Sequence, residues 1–146
     1  LLVVTSTVSW AGELEDAQER VRQNPNDAGA HTNLGIAYTN LGQNKEAIAS
    51  YKEAIRIKPD YADAHVNLGN AYSATVQHQK AIASFKESLR LQPNSETHLL
   101  LGMAYEALGR NNEAVANYKA TLRINPNFSL ARKYLNRVEQ KIMSAP

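Results

Sequence analysis

The sequence predicts an all-α fold, a tandem array of three helix-turn-helix hairpins with one further helix at each end. Three observations lead there. Leu34-Gly35, Leu68-Gly69 and Leu101-Gly102 recur with their glycines 34 and then 33 residues apart. A tyrosine stands three residues after each glycine, at Tyr38, Tyr72 and Tyr105. A proline stands 24 residues after each glycine, at Pro59, Pro93 and Pro126. A period of this length marks units that bury their apolar faces only by stacking on one another.

The chain opens with an apolar, uncharged segment, LLVVTSTVSW, within residues 1–11. Ser9 and Ala11 flank Trp10 at the two positions a signal peptidase reads, so the segment resembles the tail of a secretory signal. It is too short to span a bilayer. Its β-branched and aromatic residues favour extended structure, yet an all-helical chain offers no sheet edge. Two placements follow. Leu1, Leu2, Val3, Val4, Val8 and Trp10 dock on a neighbouring copy, or the segment is half of a degenerate first helix packed on Leu14 and Val21.

Residues 12–24 carry Leu14, Ala17 and Val21 at the register of Ile48, Tyr51 and Ile55, which predicts a capping half-repeat helix. Repeat one occupies residues 25–58. Ala30, Leu34, Ala37, Tyr38 and Leu41 form one helical stripe; Ala47, Ile48, Tyr51, Ala54 and Ile55 form the next. Between them Gly42 supplies a left-handed stop and Asn44 an N-cap. Lys58-Pro59-Asp60 ends the hairpin, because proline restricts the residue before it and cannot donate a backbone hydrogen bond. Gly35 and Ala47 allow close approach of the two backbones, with Tyr38 and Tyr51 filling the space beside them. Repeats two (59–92) and three (93–125) return the same set as Gly69, Ala81, Tyr72 and Phe85, then Gly102, Ala114, Tyr105 and Tyr118. Val76 replaces the turn glycine in repeat two, which predicts a differently built or looser turn. Residues 126–146 contain an amphipathic capping helix with Leu130, Tyr134, Leu135, Val138 and Ile142 inward and Asn136 at the glycine register.

This pattern of aromatic, Leu-Gly, Tyr, Ala, aromatic, Ala and Pro resembles the tetratricopeptide repeat family over roughly residues 25–126. His31, His65 and His98 stand where that family often has tryptophan. The resemblance implies a right-handed α-solenoid whose first helices line a concave wall that binds a peptide or helix of another protein. Carried onto this chain, the wall is Thr32, Asn33, Ile36 and Asn40 from repeat one. Repeat two adds Asp63, Asn67, Asn70 and Ser73; repeat three adds Leu99, Leu100, Met103 and Glu106. Asn33 and Asn67 are similar to the asparagine ladder of the repeats attached to O-linked N-acetylglucosamine transferase. An amide offers a donor and an acceptor to a peptide backbone without reading its sequence. The carboxylate clamp of co-chaperone repeats is absent: Thr32, Ile36, Glu96 and Leu100 occupy the positions of its lysine, asparagine and basic residues.

Composition narrows the function. With no cysteine among 146 residues, disulfides and thiolate metal sites are excluded. The three repeat histidines recur one unit apart, on the order of 10 Å, too far for a single zinc ion. No nucleophile-base pair, phosphate loop or carboxylate dyad appears, so no cofactor or enzymatic activity is expected. A net charge of +2 and scattered bases give no nucleic-acid signature. Charge is unevenly spread: residues 13–63 hold nine acids and six bases, residues 64–146 five acids and ten bases. That is either a solvated mixed surface or a means of steering copies head to tail. The expected role is a non-catalytic interaction scaffold in a bacterial, exported protein of the periplasm or cell surface. The alternatives are a self-assembling oligomer or filament, and a repeat appendage of a larger enzyme.

Overall fold

Short polar turns divide the chain into a first helix of 22 residues and seven of 13–15. A computed structural model describes residues 2–146, with side chains described from residue 9 onward. The helices are α1 (Leu2–Gln23), α2 (Ala28–Asn40), α3 (Asn44–Ile57), α4 (Ala62–Ala74), α5 (His78–Leu91), α6 (Ser95–Ala107), α7 (Asn111–Ile124) and α8 (Ser129–Met143). No strand occurs among the described residues. Asp27 and Asn94 cap α2 and α6, their side-chain oxygens accepting from Gly29 N and Thr97 N at 2.8 Å. Asn44, expected as a cap, is instead the first residue of α3, and Gln43 precedes it without a side-chain bond.

Each helix packs on the next in sequence; α2 also touches α4, and α4 touches α6, along one side. Hairpins that pinch together on that side must splay on the other, so the array curves with α2, α4 and α6 on its inner wall. This is a right-handed α-solenoid of three hairpins, α2/α3, α4/α5 and α6/α7, with α1 and α8 at its ends.

The repeated glycines receive aromatic rings. Tyr51 lies against Gly35, Phe85 against Gly69 and Tyr118 against Gly102. A Cβ on Gly69 would fall 2.5 Å from the Phe85 ring, and one on Gly102 2.6 Å from Tyr118. The second-helix aromatic, rather than a bare backbone contact, therefore demands the glycine. Tyr51, Phe85 and Tyr118 are fully buried and centre a core that runs along the array. It is widest toward α8, where Leu99, Leu101, Tyr105, Leu135 and Val138 join one cluster.

Four expectations are corrected here. Val76 does not loosen its turn. It takes φ +60°, beside +72° at Gly42 and +71° at Gly109. The closing bonds match: Gln43 N to Tyr38 O at 2.9 Å, Gln77 N to Tyr72 O at 2.8 Å, Arg110 N to Tyr105 O at 2.9 Å. The packed hairpin on either side dictates the turn, and the valine bears the strain. At the C-terminal end Leu130 and Ile142 are exposed, whereas Ala131 is buried with Leu135 and Val138. Positions 131, 135 and 138 lie on one narrow face; 130 falls on its flank, and 142 shares the face but sits in the last turn of α8.

The capping helix does not begin at residue 12 either: α1 runs unbroken from Leu2 through Gly12. Residues 2–10 are neither an extended arm nor a separate helix folded back on Leu14 and Val21. With no sheet edge to pair with, the backbone satisfies its own polar groups by continuing the helix. Leu1 and the side chains of Leu2, Val3, Val4 and Val8 lie outside the described residues; Trp10 is 38% exposed. Among the described residues, no helix is long and apolar enough to cross a membrane.

Candidate functional site

The inner wall encloses an open concavity of about 790 Å³. Repetition places its side chains. Equivalent positions recur on α2, α4 and α6, so Asn33, Asn67 and Leu100 form one row, and Gly29, Asp63 and Glu96 another. Of the residues expected from the sequence, the fold brings together Thr32, Asn33, Ile36, Asp63, Asn67, Asn70 and Leu100. Asn33, Asp63 and Asn70 are exposed and Asn67 half-buried. Among the described residues, the amides of Asn33, Asn67 and Asn70 have no intramolecular hydrogen-bond partner, so their donors and acceptors face the concavity unspent. Thr32 is different: it is buried, and its hydroxyl donates to Ala28 O at 2.9 Å.

Five expected residues are not part of this concavity. Asn40, Ser73 and Met103 lie beyond its wall, farther along their helices. Leu99 is a correction: it is 7% exposed and belongs to the core. Its register is that of Thr32 and Val66, the flank between groove and core, and a leucine there turns into the apolar side. Glu106 is a second correction. Its side chain is only 11% exposed and its carboxylate is already engaged. Arg137 donates from Nη2 at 2.7 Å and from Nε at 3.1 Å, and the Tyr118 hydroxyl donates at 2.9 Å. Lys141 Nζ lies 3.7 Å away.

That network fixes α8 to α6 and sets the local titration. Burial works to raise the Glu106 carboxyl, but the bonds from Arg137 and Tyr118 and the charge of Lys141 outweigh it and hold it below the usual range. Burial, then the Glu106 carboxylate, pushes the Tyr118 phenol well above its ordinary value.

Residues the sequence reading missed complete the wall. Tyr61 and Asn94 come from the turns before α4 and α6, and Val66, Ser95, Glu96 and Thr97 from the helices themselves. Glu96 was recoverable, since it shares the register of Asp63. Beyond Asn33 the wall continues against α1 as a smaller depression bordered by Glu13, Asp16 and Arg20. The three repeat histidines are spent locally: His31 Nε2 lies 2.8 Å from Pro25 O, His65 Nε2 2.9 Å from Pro59 O, and His98 Nδ1 3.1 Å from Asn117 Oδ1. Among the described residues no group of three or more His, Asp or Glu is placed to hold a metal ion.

Such a surface, with unspent amides beside Ile36, Val66 and Leu100, suits the backbone and small apolar side chains of a polypeptide. Family models described as tetratricopeptide repeats match residues 21–49, 62–95 and 95–128, and a model described as a TPR repeat matches residues 37–75. No curated protein sequence is significantly similar to the chain. Among solved structures, MamA is similar with TM-score 0.87 and 22% identity, over 94% of this chain and 81% of that one. A thermophilic TPR protein of Thermus thermophilus gives TM-score 0.76 and 28% identity, over 87% of this chain and 71% of that one. The first TPR of Spaghetti, bound to the HSP90 peptide SRMEEVD, gives TM-score 0.79 and 24% identity, over 81% of this chain and 94% of that one.

Proposed function

The chain belongs to the tetratricopeptide repeat family, and from that premise we propose that it is a non-catalytic module binding a segment of a partner protein along α2, α4 and α6. The single observation that carries this reading is the row of unspent amides, Asn33 and Asn67, lining an open concavity of about 790 Å³. Each amide replaces bonds to water with bonds to a peptide backbone, a net gain of about 0.5–1.5 kcal/mol. Burial of Ile36, Val66 and Leu100 against the ligand adds the rest. A related repeat that holds a peptide, that of Spaghetti, supports the reading by analogy of fold.

Peptides selected on the wild-type chain from a displayed random library test it. Against Asn33→Ala/Asn67→Ala their affinity should fall by about five- to 150-fold, the sum of two such bonds, at an unchanged melting temperature. Equal affinity for both proteins would remove the groove from the account.

A second reading, assembly of copies, is favoured by Trp10, exposed on an α1 that runs a full 22 residues. Light scattering on the chain with and without residues 1–11 separates it: one monomeric mass for both forms rejects assembly through this segment.

A further inference from the structure

Resting on the groove reading, we propose that the occupant is an extended peptide bearing a lysine or arginine, held between Asp63 and Glu96. These carboxylates share one repeat register on adjacent inner helices, both are exposed, and both border the concavity. Neither forms an ion pair among the described residues. The outer helices behave differently. Glu53 pairs with Arg56, Glu87 with Arg90 and Glu113 with Arg110, each at 2.7 Å. Three of the four carboxylates on the outer helices are thus paired, all but Glu46, whereas Asp63 and Glu96 on the inner wall are both unpaired.

A first-turn carboxylate is tolerated because the helix N-terminus attracts it. That accounts for each acid singly. It does not account for the wall as a whole, where no lysine or arginine among the described residues borders the concavity. The chain carries a net charge of +2, so a lining whose only charged residues are acids runs against its overall sign. Lys58 borders a neighbouring depression with Asp60 and Asp63, outside the concavity, and its ammonium sits 5.2 Å from the Tyr61 ring centre rather than in an ion pair with either acid. Toward α1 the wall gains Glu13 and Asp16 against a single base, Arg20. A cation between Asp63 and Glu96 relieves the repulsion of two like charges facing one space, whereas an acidic tail such as SRMEEVD would add to it. Leu100 and Val66, beside the two acids, offer apolar surface to the stem of a long basic side chain.

The test is selection from a displayed library of random decapeptides, run in parallel on the wild-type chain, on Asp63→Asn/Glu96→Gln and on Asn33→Ala/Asn67→Ala. The charge variant is near-isosteric at exposed sites, and a wild-type arm at 0.5 M salt probes the same interaction without any substitution. The expected result is enrichment of lysine and arginine on the wild type, lost on the charge variant. Chosen peptides should bind the charge variant roughly three- to tenfold more weakly, as two part-exposed pairs imply, and weaken likewise in high salt. Acidic or neutral peptides that still depend on Asn33 and Asn67 would overturn the charge inference and leave the groove reading standing. Enrichment indifferent to both variants, or none at all, would overturn both.

Discussion

His31 Nε2 sits 2.8 Å from the carbonyl oxygen of Pro25, six residues earlier, and that relationship is a fastening between an inner helix and the turn before it that recurs along the array. His65 reaches Pro59 O in the same way, at 2.9 Å. In α8 an arginine takes over: Arg132 Nη2 donates to Pro126 O at 2.9 Å. Only repeat three breaks the series. One residue is missing between Pro93 and α6, so His98 turns to Asn117 instead. The account predicts that His65→Ala costs about 1 kcal/mol, one net hydrogen bond, while His65→Arg is nearly neutral. Urea midpoints check it; equal loss in both variants would mean that the contact is packing alone.

Val76 carries strain that a glycine would not. A left-handed non-glycine residue costs about 1–2 kcal/mol, and glycine returns about 0.4–1 kcal/mol of that through the entropy of its unfolded chain. Val76 is 75% exposed, so little packing is lost with its side chain. Val76→Gly should therefore stabilise the protein by about 0.5–1 kcal/mol, read as a higher denaturant midpoint. A lower midpoint would contradict the strain.

Two glycines on helices should answer oppositely to alanine. At Gly102 the new methyl meets the buried Tyr118 ring, and overpacking costs about 1–3 kcal/mol. At Gly12 nothing lies within 4 Å, so alanine gains about 0.5–1 kcal/mol of helix propensity. Thermal melts followed by circular dichroism separate the two. A loss at both sites would argue against a continuous α1.

The Glu106–Arg137 pair makes the hold on α8 pH-dependent. Because the folded carboxyl lies below its ordinary value, its contribution is complete above that value and is lost as pH falls through the lower, folded one. Glu106→Gln should cost about 1.5 kcal/mol at pH 7, the low end for a charged hydrogen bond since Arg137 is partly exposed. The penalty should shrink as pH falls through that lowered, folded range. Hydrogen exchange of α8 amides at pH 7 and across that range checks it; a penalty independent of pH would remove the carboxylate from the latch.

The architecture was legible because recurrence does not depend on local propensity: Gly35, Gly69 and Gly102 announce the same contact three times. Asn33 and Asn67 were legible as groove residues for the same reason. Leu99 was not, because its register lies between wall and core, and only the curvature of the array decides which side a leucine takes. Glu106 was hidden differently, since its partner Arg137 lies 31 residues away on the final helix. The unbroken α1 was illegible because a short β-branched run followed by glycine reads equally as strand or helix. Val76 shows the converse, a residue whose own preference the neighbouring helices override.

Amide chemical shifts during titration with a library-selected peptide show whether the inner wall recognises a polypeptide. Recognition there moves shifts on α2, α4 and α6, around Asn33, Asn67 and Leu100, and leaves α3, α5 and α7 unperturbed. Changes confined to the outer helices, or to α1 and α8, would contradict it.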